Sequence, residues 1–111
     1  MDTLDGYRKM VRSVLDEYVS IPHAQGNRDN IVVTDSSGDH YLWLSLGWDG
    51  PKRIHYVVVH IDIINDKIWI QRDQTEDGVA LDLERAGVPK DHIVLGFHSP
   101  AVRPYTDYAP G

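Results

Sequence analysis

A chain of 111 residues is large enough to bury one hydrophobic core and too small for two. Ordinary hydrophobic and charged fractions exclude disordered and fibrous classes, no apolar run approaches the ~20 residues of a spanning helix, and zero cysteines exclude disulfides and thiolate metal sites. The net charge of −6, with Lys and Arg dispersed, argues against autonomous DNA binding, because duplex binders gather cations into a phosphate-neutralising track.

The start, "MDTLDGYRKM", carries acids where a signal peptide would be basic and then apolar, so cytoplasm is the expected location. Leu4, Tyr7, Val11, Val14, Leu15 and Tyr18 share one stripe at the 3.6-residue period, predicting an amphipathic helix from Asp2 or Thr3 to Val19. Its densest basic group, "YRKMVR", reads as a solvated face because Asp5–Lys9 and Arg12–Asp16 have i,i+4 spacing. Pro22 and "HAQGNRDN" end the helix in a loop. Four strands are predicted next: Asn30–Asp35, His40–Trp48, Arg53–Ile64 and Lys67–Asp73. The second alternates, with Leu42, Leu44, Leu46 and Trp48 on one face and Tyr41, Trp43 and Ser45 on the other. Their short connections predict a four-stranded antiparallel meander. A second helix follows, with Thr75 as N-cap, Glu76 and Asp77 in its first turn, a buried stripe of Val79, Ala80, Leu83 and Ala86, and Gly87 as its stop. "HIVLGF" (His92–Phe97) is a short strand, and the tail "HSPAVRPYTDYAPG" an ordered, packed loop. The fold class is α+β, with residues 1–111 as one domain.

The stretch "HIDIINDKIWIQRDQTEDG", His60–Gly78, holds the densest set of candidate site residues. If Asn65–Asp66 is a two-residue hairpin turn, Ile63 opposes Ile68 and Ile61 opposes Ile70 on the core face. On the other face Asp62 opposes Trp69, His60 opposes Gln71 and Val58 opposes Asp73, with Tyr56 nearby. This mixture of polar groups and large aromatics, joined by Trp43, suits a contact surface. A plain exposed sheet face is the structural alternative. His60, Asp62 and Asp73, with Glu76, also form a candidate divalent-metal set, although the spacing is far less specific than His-Glu-x-x-His. There is no Asp/Glu-x-Lys strand motif, phosphate-binding glycine loop or nucleophile elbow. His98, at a strand end, could act in acid–base chemistry but more simply serves as a junction residue, and His40, His55 and His92 read as structural or solvent-facing. No catalytic residue and no cofactor is expected.

The motifs "HIDI…KIWIQ.D.TEDG", "GVPK..IVL.FHSP" and "R.YT.YA.G", with the helix "YRKMVRSVLDEY" and the strands "DHYLWLSLGWDGPKRIHYVVVHIDI", cover essentially the whole chain. In them the sequence resembles the XisI family of cyanobacterial excision-controlling factors. Pro110 departs from the small aliphatic residue expected there, which bears on the docking of the extreme C-terminus. The resemblance implies a factor controlling excision of an element that interrupts the fdxN gene during heterocyst development. A separate recombinase performs that excision, and the factor works with a companion of the XisH type. It carries no catalytic residues over. The expected function is therefore an accessory protein, not an enzyme. It would bind its partner through Tyr56, His60, Asp62, Trp69, Gln71, Asp73, His98 and Arg103, the last two in "FHSPAVRPYTDY". The alternatives are a metal-assisted nuclease or hydrolase, or its subunit, and an antitoxin-like inhibitor of a nuclease-like partner. A homo-oligomer through a sheet edge or the aromatic face stays open.

Overall fold

The structure, a computed structural model, describes residues 3–20 and 28–111. The expected helix start at Asp2 and the loop at Pro22 lie outside them. Helix α1 (Thr3–Ser20) forms where the apolar stripe predicts it, burying Tyr7, Val11, Val14 and Leu15. Arg12 and Asp16 form the expected ion pair at 3.0 Å. Asp5 pairs with Arg8 rather than Lys9, and Arg8 also reaches Asp39 at 3.0 Å. That second bond draws Arg8 over the turn between the first two strands.

The strands are β1 (Arg28–Thr34), β2 (His40–Asp49), β3 (Lys52–Ile64) and β4 (Lys67–Asp73). They pair antiparallel in sequence order, as the short connections require. Asn65 and Asp66 adopt φ of 51° and 63°, the left-handed pair that a two-residue hairpin turn needs. Helix α2 (Val79–Ala86) then carries the chain to β5 (Ile93–Leu95), which lies parallel to β4. The expected four-stranded meander is thus extended by a fifth strand in a crossover, giving a mixed sheet within the same α+β class.

Helix α2 begins three residues later than a Thr75 cap implies, leaving Glu76 and Asp77 in the preceding loop. Asp73 displaces Thr75 as the chief cap: its Oδ2 accepts from the Val79 amide at 2.8 Å, while Thr75 Oγ1 accepts from Gly78 N at 3.2 Å. Ala86, expected in the buried stripe, is exposed because the helix ends beside it. Gly87 closes the helix at φ 115°, where a β-carbon would be strained, and Val88 N bonds back to Leu83 O at 3.0 Å.

Both helices cover one face of the sheet. There Val11, Leu15, Val79 and Leu83 pack with Tyr41, Trp43, Val59, Ile61, Ile68 and Ile70 in a single core. The alternation in β2 resolves with Tyr41, Trp43 and Ser45 inward, and the leucines and Trp48 on the outer face. Trp43 is therefore a core residue, tilted against Tyr18 and donating to Asn30 Oδ1 at 3.0 Å. It does not contribute to an exposed aromatic surface.

Two β-bulges alter the outer face. In β3 the register against β2 shifts beside Val58, and in β4 it shifts at Gln71. Each extra residue reverses which way the chain beyond it points.

Candidate functional site

The site forms on the outer face, where β2, β3 and β4 meet. Asp62 is 8 % exposed, and its carboxylate is the centre of the group. Its Oδ1 accepts from His40 Nδ1 at 2.7 Å and from His60 Nε2 at 2.9 Å, and its Oδ2 accepts from Gln71 Nε2 at 3.3 Å. Burial pushes the Asp62 carboxyl up, but the hydrogen bonds from both histidines outweigh it and hold the group below the usual carboxylate range. The same contact with Asp62 raises His40, against an opposing effect of desolvation.

Trp69 extends this network into a ledge. It sits opposite Asp62 in the ladder, and the Arg103 guanidinium lies over its ring at 5.0 Å. Arg103 is held there by its bonds to the backbone oxygens of His98 at 3.0 Å and Gly96 at 3.4 Å. The tail is ordered as expected: Ala109 N bonds Ile93 O at 2.8 Å, Tyr108 donates to Glu84 at 2.7 Å, and Lys67 Nζ reaches the Gly111 carbonyl. Pro110 therefore leaves the last residue docked beside β4.

Of the residues expected to form a partner surface, His60, Asp62, Trp69, Gln71 and Arg103 come together. Tyr56, Asp73 and His98 do not. Strict alternation puts Tyr56 on the side of His60, but the bulge at Val58 turns it to the helix-covered side, where it pairs with Ser45 and lines a cavity of about 230 Å³ with Tyr18 and Trp43. The bulge at Gln71 pairs His60 with Arg72 and Val59 with Asp73, so Asp73 faces α2 and caps it. His98 contributes its backbone oxygen, while its ring lies against Phe97. The candidate metal set separates likewise, with His60 and Asp62 outside and Asp73 and Glu76 on the helix side. Among the described residues no group of three or more His, Cys, Asp or Glu is arranged to hold a metal.

Two residues escaped the sequence reading. His40 joins Asp62 because the β3 bulge moves its partner along by one; an unbulged ladder from the Asp49–Lys52 turn pairs it with Ile61. Gly96 packs so tightly that a β-carbon would stand 2.6 Å from Gln71 Oε1, so a side chain there would displace Gln71. The motif "VLGF" offered only a glycine within the expected strand His92–Phe97, which in the structure ends at Leu95.

Fold and site together define a two-layer α+β protein whose outer sheet face carries a carboxylate-centred polar ledge. The chain belongs to the XisI family, whose model, described as XisI protein, matches residues 1–110. A XisI-like protein from Anabaena variabilis ATCC 29413 superposes with a TM-score of 0.87 at 37 % identity, over 96 % of this chain and 97 % of its own. The fdxN element excision controlling factor XisI from the same organism gives a TM-score of 0.84 at 33 % identity, over 99 % and 100 %. A search of curated proteins returned no match.

Proposed function

We propose that this chain is an accessory factor controlling excision of a DNA element, acting by binding a companion protein rather than by catalysis. Its family membership and its likeness to an fdxN element excision controlling factor support a role in excision control. The observation that carries the binding reading is the state of Asp62. Both its oxygens are taken up by His40, His60 and Gln71, so they serve to fix a surface. Rigid, pre-satisfied polar groups beside a large aromatic lose little freedom on docking and leave few desolvated charges unpaired. Trp69 and Arg103 supply that aromatic and its cation. A companion of the XisH type is the partner this reading expects, with the recombinase engaged only indirectly. The acidic balance, with net charge −6, fits a protein partner better than a phosphate backbone.

The test is an affinity pull-down of the tagged chain from its native cells, with DNase and with or without EDTA. The reading expects one near-stoichiometric protein, retained under all these conditions and lost with His60→Ala and Trp69→Ala. Recovery that requires DNA or a divalent metal, or that both substitutions leave unchanged, would overturn it.

A further inference from the structure

The outer faces of β1, β2 and β3 form an apolar strip next to the ledge. Ile31 and Val33 stand exposed there, at 45 % and 43 %, and Leu42, Leu44, Leu46 and Val57 are half-buried. The helices lie on the opposite face, and the C-terminal segment meets the sheet at its β4–β5 end, where Arg103 lies over Trp69 and Ala109 is bridged along the edge of β5. Among the described residues nothing covers the strip, and a contiguous apolar patch on a sheet face marks an interaction surface.

The register indicates what fits it. Across β1, β2 and β3 the outward residues form three rows: Asp29–Leu46–His55, Ile31–Leu44–Val57 and Val33–Leu42–His60. We propose that the strip is the interface of a face-to-face homodimer whose two-fold axis runs parallel to β2. This operation lays β1 of one protomer over β3 of the other at the same level. Ile31 then meets Val57, Leu44 meets its own copy, and Asp29 meets His55, which gives each rim carboxylate an imidazole N–H donor. A two-fold axis across the strands would set Asp29 against Val33 and His55 against His60, stranding a carboxylate on apolar surface without a donor. The self-complementarity is that of an isologous contact, with two sheets packed in the aligned manner. Three strands at ~4.8 Å and the seven residues of β1 at ~3.4 Å give a face of roughly 14 × 24 Å. With its corrugation counted on both copies, burial is on the order of 800 Å², below the ~1,000 Å² of a stable specific interface, so the dimer is a weak, concentration-dependent one. The dimer does not depend on the excision reading, and it leaves most of the His40–Trp69 ledge outside the contact.

Sedimentation velocity of the full chain from 1 to 100 µM tests this directly. Wild type is expected to approach twice the 12.6 kDa chain mass as concentration rises, and Leu44→Glu to stay a monomer with an unchanged circular-dichroism spectrum. Asp29→Lys should weaken the dimer about tenfold, and adding His55→Asp should restore it. A monomeric wild type at 100 µM would overturn the proposal. So would a folded Leu44→Glu variant that stays dimeric, since the proposed contact sets Leu44 against its own copy. If Leu44→Glu does not fold, the charge exchange decides: failure of the double variant to recover means the two faces do not meet in this way.

Discussion

At Asp62 a single carboxylate fixes three side chains from two neighbouring strands and its own, and the ionisation states of the group are linked. His40 is raised in the folded protein, so its contribution is full below the ordinary histidine range and is lost as pH rises through the raised value. Asp62 is lowered, so its contribution is present above the ordinary carboxylate range and is lost as pH falls through the lowered value. Both hold together only in mild acid, from about pH 4 to about pH 6.5. Thermal melts of wild type and His40→Gln should therefore differ most near pH ~5.5 and converge by pH ~8 to 9. A gap that stayed constant from mild acid to alkaline pH would show that His40 contributes packing alone. Much of the membership of this site could be read from the sequence, but not its bonding. Asp62 and Trp69 were placed correctly by counting out from the Asn65–Asp66 turn, but His40 stands 22 residues from Asp62 and reaches it only through a bulged ladder.

The elements themselves followed from local chemistry. The α1 stripe, the left-handed hairpin turn, the Gly87 stop and the bounds of β4 all match what residue spacing and turn preferences require. The start of α2 did not, because a residue outside the helix caps it. Asp73, at the end of β4, accepts from the amides of Thr75 and Val79 and thereby joins strand to helix. Asp73→Ala should cost about 1–2 kcal/mol in urea denaturation, in the range of a lost N-cap. Hydrogen exchange at Val79 should speed up while exchange at Ile61 keeps its rank among the slowest amides. If the Val79 amide stayed protected in the variant, the cap would lie elsewhere, with Thr75 the first candidate. Local rules missed this cap for a simple reason: Asp73 lies in a strand, and its side chain turns to the helix side only after the Gln71 bulge.

For the whole molecule, the C-terminal segment divides the outer face into two halves. It meets the β4–β5 end, with Arg103 on Trp69 and Ala109 bridged along the edge of β5, and among the described residues β1 to β3 stay uncovered on that face. Ending the chain at Val102 would expose the otherwise buried Val94 and the Trp69 ring, and would break the Ala109–Ile93 and Tyr108–Glu84 bonds. The expected loss is about 3–5 kcal/mol, from one apolar side chain, a cation–π contact and two hydrogen bonds. A lower denaturation midpoint with red-shifted tryptophan emission would register it. An unchanged midpoint would mean that the segment adds no net stability to the sheet it covers. Excluding the tail from the β1–β3 half is also what leaves that half available to a second copy.

Taken by itself, the sequence determined the α+β class, the helix faces, the strands and their antiparallel order, and the family to which the chain belongs. The elements depend on periodicity and turn residues within a few positions of one another, and the family on motifs spread along the chain, each legible without the fold. The tertiary structure alone decided that β5 joins the sheet in parallel, that Tyr56 and Asp73 leave the ledge, and that His40 enters it. Each depends on contacts between distant segments or on a bulge. One inserted residue leaves the hydrophobic pattern of a strand nearly unchanged yet reverses every side chain beyond it.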